Sequence, residues 1–390
     1  MRIAYPMRVD ALQKSGGDVD HIRTYIRVCE QLAKARGLAF QGEILTDLDP
    51  DLSEFDAVHL TNLDRPVDLY SQFLAARRVA KPIVLTPLHH SYHEIETYER
   101  QGRGGIISFI SGFVGFYGLE TVRMLLKSRH YPQIRSALCK TLRKGMREAQ
   151  IEVLAGCDRV LIIADKEAAD IARDIIAVPS ERLLKLCNGF SNIVAGENVR
   201  DIEIAVIARV ESRKNQLAIL EAIQSLGLKA TFVGPPNPYH KRYCDKFHSK
   251  MAGSCSVYIP GVPSSEVSLI LARSRVHVAA SWFEVASLVD IDAYAHGCRV
   301  VASQCGGASE ILGDDAYYVD PSSPADIAEK ISAAVASVRV GKKNSIEDFL
   351  HRVPSWDVTC TRLLDLYCTL TAVSDVRGSQ HVIESVAGNL

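Results

Sequence analysis

The sequence contains no uninterrupted apolar run approaching the roughly 20 residues that a helix needs to cross a bilayer. It opens on MRIAYPMRVDAL, a first strand running into a polar loop without the apolar centre of an export signal. Both absences point to a chain that works in the cytoplasm. It also lacks any C-x-x-C pair. The ten cysteines (Cys29, Cys139, Cys157, Cys187, Cys244, Cys255, Cys298, Cys305, Cys360 and Cys368) are scattered. Zinc ribbons and disulfide frameworks need closer, patterned spacing, so these read as reduced thiols, mostly in cores. Neither sign of charge is in excess, with 45 Lys and Arg against 46 Asp and Glu, and the chain as a whole makes no case for binding nucleic acid.

What is present is a globular composition, 47% hydrophobic and 23% charged, spread over 390 residues. That length suits two domains of about 150–200 residues each. Short apolar runs alternate with longer helical periods, the pattern of parallel sheets covered by helices. The expected strands of the first half are Arg2–Tyr5, Ala57–Leu60, Pro82–Thr86 and Arg159–Ile163, with a helix over Asp20–Gly37. The second half restarts the rhythm. Strands are expected at Ile202–Ala208, Lys229–Val233, Val276–Ala280 and Arg299–Ala302, and helices at Gln216–Leu226, Ser264–Ser274 and Ser287–Ala295. Two βαβ series imply two doubly wound domains, residues 1–190 and 191–369, with the break near Asn188–Arg200 and the segment from about 370 to 390 packing back on the first.

One segment departs from the rhythm. Between Arg100 and Gln150 ten Lys and Arg face only Glu120 and Glu148, a local excess of +8, beside the apolar, aromatic run Ile106–Tyr117. Cations next to aromatics suit an anionic membrane surface or a lipid-phosphate acceptor, although a solvated helical face has the same composition.

The stretch richest in chemistry is Ser281–Leu312, SWFEVASLVDIDAYAHGCRVVASQCGGASEIL. A strand ends, a loop delivers Glu284, and a helix begins near Ala286–Ser287, whose first turn offers unpaired N–H groups and a partial positive charge to an anion. Asp292 lies eight residues beyond Glu284, placed to reach a second part of an elongated ligand. A second element, VIARVESRKNQL over Val206–Leu217, ends a strand at Arg209 and places Lys214 just before a helix. Two cations on such a loop suit a diphosphate. Arg213, adjacent to Lys214, is an alternative.

These residues resemble glycosyltransferase family 4, retaining enzymes of the GT-B type, two Rossmann-like domains facing across a cleft. The family's E-x7-E motif falls on Glu284 and Asp292, with Asp for the second Glu. Its following A-x-x-x-G-x-P-V-V-A run falls on Ala293, Gly297 and Val300–Ser303, and its G-G-x-x-E on Gly306, Gly307 and Glu310. Its G-R-L-x-x-x-K-G falls on Arg209 and Lys214, with Ala208 for the Gly. Ser15-Gly16-Gly17 resembles the N-terminal glycine loop, Asn188-Gly189-Phe190 the signature before the linker, and Ser355-Trp356-Asp357 the closing segment. Gly234 and Gly261 fall where the family lines its nucleotide pocket with glycine. The match runs from about Arg2 to Thr369 and is strongest over Ile202–Leu312.

The resemblance implies an N-terminal acceptor domain and a C-terminal donor domain. It implies Glu284 on donor-sugar hydroxyls, Asp292 on ribose, Arg209 and Lys214 on the diphosphate, and backbone amides of Ala286, Ser287 and Leu288 facing diphosphate or sugar. Gly16 and Gly17 would let backbone approach the diphosphate. A histidine after the third strand, His89 or His90, would support the reacting face, and spacing does not choose between them. The usual glycine-rich loop here reads Glu284-Val285-Ala286-Ser287-Leu288. The expected activity is transfer of a hexose (mannose or glucose) from a nucleoside diphosphate sugar to a glycan or lipid-linked acceptor, with retention, in surface polysaccharide assembly at the inner face of the membrane. No cofactor is expected. Of the three D-x-D triplets, Asp290–Asp292 would lie on a helix with side chains about 200° apart, unable to chelate one ion, and Asp18–Asp20 and Asp47–Asp49 read as solvated loops, so no metal is expected. A nucleotide-sugar epimerase of the same architecture and a non-catalytic nucleotide-sugar or glycan-binding subunit are the competing readings.

Overall fold

The computed structural model describes residues 1–13, 16–190, 199–340, 349 and 351–387. The first half forms one six-stranded sheet, β1 (Arg2–Pro6), β2 (Gln41–Leu45), β3 (Ala57–Thr61), β4 (Ile83–Thr86), β5 (Arg159–Ile162) and β6 (Leu183–Lys185). The second half forms another, β7 (Ile202–Ile207), β8 (Thr231–Val233), β9 (Val257–Ile259), β10 (Ser274–Val278), β11 (Arg299–Ser303) and β12 (Tyr317–Val319). The strand orders are β2-β1-β3-β4-β5-β6 and β12-β11-β10-β7-β8-β9, with every pairing parallel.

Helices cover both faces of each sheet, which is why the strands read as continuous apolar runs rather than alternating ones. Successive residues of a strand point to opposite faces and so feed separate cores. In the first sheet Val58, Leu60, Leu85 and Val160 enter one core, while Ala57, Val84 and Leu161 enter the other. In the second sheet Ile204, Val206 and Val301 lie on one face and Ala205, Ile207 and Val300 on the other. The strands absent from the expected set, β2, β6, β9 and β12, are the edge strands of the two sheets.

These orders fix where a ligand can enter. In the second sheet the chain winds one way from β7 through β8 and the other way from β10, so the loops after β7 and β10 diverge and leave a crevice at their carboxyl ends. Arg209 to Lys214 follow β7, and Ser281 to Glu284 follow β10.

The closing helix, Trp356–Ala387, corrects the expected boundary at 369. It joins the first domain from Trp356 onward, with Trp356, Cys360, Leu363, Leu364 and Tyr367 in the same core as Tyr5, Tyr25 and Cys29. The Tyr5 and Tyr367 hydroxyls are 2.9 Å apart, and Arg36 pairs with Asp365 at 2.6 Å. The two chain crossings touch, since Phe190 bridges to Ser355. A side chain on Gly189 would stand 2.4 Å from the Trp356 backbone nitrogen, so only glycine fits there. The boundary expected at 190–191 abuts residues 191–198, which lie outside the described residues, as does Ser15.

Candidate functional site

The loop after β7 tightens into a single turn over Ser212–Lys214 and then passes through Asn215 in the left-handed region, φ 61°, a conformation asparagine tolerates better than most residues. This reversal points Lys214 and Arg213 at the loop after β10. The two loops are laced together: Trp282 donates its N–H to the Arg213 carbonyl at 2.9 Å, and the Arg213 guanidinium reaches the Phe283 carbonyl at 3.3 Å. Glu284 receives both cations. Lys214 Nζ lies 2.6 Å from Oε1 and Arg213 Nη1 lies 2.8 Å from Oε2.

Burial raises the pKa of Glu284, but Lys214 and Arg213 outweigh it and hold the carboxyl down to about 2. It is therefore a carboxylate at neutral pH, an acceptor with no proton to give. The backbone behind it is fixed by Gly306 and Gly307. Gly306 has φ 69°, and a side chain there would stand 1.8 Å from the Glu284 carbonyl oxygen. The Gly307 N–H bonds the Val285 carbonyl at 2.8 Å.

Ser287 caps the Leu288–Ala295 helix, its hydroxyl accepting the Asp290 N–H. A small open cleft in front of this turn is lined by Glu284, Val285, Ala286, Ser287 and Asp290. Asp290 accepts from His277 Nε2 at 3.0 Å. Asp292, two residues on, projects about 200° round the helix from Asp290 and is half-buried outside that lining. Arg209 stands apart from the triad, beside the first domain. A methyl on Gly16 would be 3.6 Å from the Arg209 guanidinium and 3.7 Å from that of Arg8. Gly16 precedes the Gly17–Ala35 helix, so the helix's amino end, with open space at Gly17, meets Arg209. Asp18 is not solvated as expected: it pairs with Arg8 at 2.9 Å. Gly234 follows β8, its N–H on the Ile259 carbonyl, and Gly261 lies 3.8 Å from Pro235 by the same measure as Gly16, so the two glycines are neighbours beside the β7 loop.

The histidines after β4 separate. His89 is fully buried, with Nδ1 2.6 Å from Asp64 and Nε2 3.2 Å from Asp174. No part of its ring is exposed. Burial lowers its pKa, yet the two carboxylates prevail and raise it to about 10. His90 is the one that faces the second domain, its ring edge-on to Phe283 with centroids 5.1 Å apart. Arg213 lies over the other side of this contact, 5.2 Å from the Phe283 ring centre. Asp64, Asp174 and Phe283 escaped the sequence reading. The two acids lie in a turn and at a helix end, with no spacing that ties them to His89. Among the described residues no cluster of three or more His, Cys, Asp or Glu is arranged to hold a metal ion.

Further contacts join the domains around the site. Tyr98 OH meets Ser212 Oγ at 2.5 Å, the Gly306 N–H donates to Glu94 at 3.2 Å, and Glu310 accepts the N–H groups of Asp165 and Lys166 at 3.0 and 3.2 Å. The excess of cations over 100–150 is partly neutralised from outside the segment. Arg103 and Arg123 pair with Glu99, Lys127 with Asp10, and Lys144 with Glu152.

Residues 201–337 match the family model described as Glycosyl transferases group 1. Over 195 residues the chain is 26% identical to MMP alpha-(1->4)-mannosyltransferase from Mycolicibacterium hassiacum, a match covering 47% of this chain and 46% of that protein, so it spans about half the length of its curated relative. Among solved structures it is similar to sucrose-phosphate synthase from Thermosynechococcus elongatus, with TM-score 0.67, 15% identity and coverage of 96% of this chain and 100% of that one. It is likewise similar to Anabaena HepE in complex with UDP-glucose, with TM-score 0.66, 12% identity and coverage of 95% and 99%. At such identities the likeness speaks for the fold. Two parallel six-stranded sheets facing across a cleft, shared along nearly the whole chain, make this a GT-B protein. The stretch that matches the group 1 glycosyl transferase model carries Arg209, Lys214 and Glu284.

Proposed function

We propose that this protein transfers a hexose from a nucleoside diphosphate sugar to a glycan or lipid-linked acceptor, with retention of anomeric configuration. The observation that carries the reading is the triad of Glu284, Lys214 and Arg213 at the divergence of the β7 and β10 loops. An ionised carboxylate that only accepts hydrogen bonds suits sugar hydroxyls, and the cations beside it suit a diphosphate. Binding of donor would draw Lys214 from Glu284 to phosphate and free the carboxylate for the sugar.

In the proposed step the acceptor oxygen bonds to the anomeric carbon on the face from which the diphosphate departs. The carbon–oxygen bond to phosphate breaks, and the departing oxygen takes the acceptor proton. Arg209, Lys214 and the amides of Ala286, Ser287 and Leu288 stabilise the charge that builds there. Gly16 and Gly17 bring the amino end of a first-domain helix to the same anion, and Asp292 takes the ribose. Likeness to a mannosyltransferase and to a chain solved with UDP-glucose supports a mannose or glucose donor. The proposed setting is surface polysaccharide assembly, which rests on the family resemblance and on the cationic segment between Arg100 and Gln150.

A thermal-shift screen against UDP-, GDP- and ADP-sugars identifies the donor, and nucleotide release is then measured in Glu284→Ala and Lys214→Ala. Wild-type rates in both variants would remove the proposal.

The acceptor side is proposed to contact an anionic membrane. Val122, Leu125 and Leu126 are exposed on the Gly105–Lys127 helix, near exposed Arg129, Arg135, Lys140 and Arg143, the mixture that holds an anionic interface. Among the described residues no helix is long and apolar enough to cross a membrane. Cosedimentation with phosphatidylglycerol vesicles, lost when those four cations become Glu, is the expected result.

A further inference from the structure

The turn that follows β3 holds a carboxylate with two distinct partners. Asp64 Oδ1 meets the buried His89 ring at 2.6 Å. Its Oδ2 accepts the His90 N–H at 3.0 Å and the His90 ring at Nδ1, 2.8 Å. A carboxylate flanked in this way has no proton to donate, so Nδ1 of His90 carries the hydrogen, and in the neutral ring Nε2 is the nitrogen with the lone pair. Nε2 lies on the far side of the ring from Asp64. Among the described residues it has no hydrogen-bond partner, and the ring is 24% exposed beside Phe283, next in sequence to Glu284.

His89 explains why Asp64 stays fixed. Both of its ring nitrogens face carboxylates, Asp64 and Asp174, so both carry hydrogens and the ring is a buried cation. Asp174 is itself held by the Tyr92 N–H at 2.8 Å and by Arg173. The His89 backbone N–H is tied to Glu167 at 2.9 Å, and Glu167 also takes the Ile163 N–H at 2.7 Å. The strand-end loop is thus anchored through His89 and through the backbone N–H and Nδ1 of His90.

We propose that Asp64 is a positioning residue that holds His90 in its Nδ1–H tautomer, turning Nε2 into the interdomain cleft as a hydrogen-bond acceptor for a hydroxyl of the donor sugar. The sugar as ligand rests on the nucleotide-sugar reading, whereas the tautomer does not. Histidine-selective nitrogen-15 labelling of the full chain tests the tautomer directly. The expected spectrum at pH 8 shows His90 protonated at Nδ1 alone and His89 at both nitrogens. A wild-type His90 protonated at Nε2 alone would overturn the proposal.

The kinetic arm uses Asp64→Asn and His90→Ala. Each is expected to lower the rate of nucleotide release about 10-fold or more. In the His90→Ala background, Asp64→Asn is expected to cost less than about 3-fold further, because its effect passes through the missing ring. An equal loss in both backgrounds would overturn the proposal. If Asp64→Asn fails to fold, the wild-type spectrum and His90→Ala still decide. If no nucleotide sugar is turned over by the wild type, the functional reading fails while the tautomer measurement stands.

Discussion

The loops after β4 and β10 hold equivalent places, each at the carboxyl end of a central parallel strand and each facing the other domain, yet they use charge in opposite ways. After β4, His89 is sealed between Asp64 and Asp174, both of its own domain. After β10, Glu284 is met by Lys214 and Arg213 at the cleft, with its side chain 17% exposed. A charge closed in by opposite charges of one domain fixes shape. In the proposed function, a charge held at the edge by cations exchanges one of them for a ligand. The first arrangement is a frame and the second a receptor.

Removing Lys214 should break this contrast most strongly. Lys214→Ala is expected to slow nucleotide release by about 10²–10³-fold, as the loss of a group that stabilises developing charge does, while the thermal midpoint changes little. If the β10 loop were instead a frame like the β4 loop, stability would fall and the residual rate per folded molecule would hold. The receptor's backbone should be less forgiving than its side chains. Gly306→Ala is expected to destabilise the fold by about 3 kcal/mol in urea titration, because its methyl would collide with the Glu284 carbonyl in a left-handed conformation.

The frame should reveal itself through pH. The pKa of His89 is raised in the fold to about 10 from an ordinary 6.5. Its contribution is therefore fully present below about pH 6.5 and is lost as pH climbs toward 10, an effect on the order of 4 kcal/mol. Urea midpoints measured at pH 6 and 9.5 should fall accordingly, and His89→Gln should flatten the difference. The smallest effect is expected at Tyr367→Phe. It removes the hydroxyl shared with Tyr5 and His59 and should cost about 1 kcal/mol in the same titration.

Much of the frame was legible. Continuous apolar runs marked β1, β3, β4, β5, β7, β8, β10 and β11, because a buried parallel strand needs apolar residues on both faces. The edge-side strands β2 and β12, such as Gln41–Leu45 with no fully buried residue, carry no such signal. In the site, Glu284 and Lys214 were readable as a motif, but their direct contact was not, since 70 positions separate them. Spacing also gave no reason to prefer His90 over His89. That choice is made by Asp64 and Asp174, which reach the pair from 25 and 85 positions away.

The last long helix has a consequence for how the molecule is made. Tyr367, Leu363 and Trp356 share a core with Tyr5 and Tyr25, so the first strand and helix need a segment more than 300 positions further along to complete their interior. A nascent chain ending before Trp356 would expose that apolar seam to water. The second sheet lies in sequence between the two halves of that core, so the first domain is sealed by a segment that follows the whole of the second.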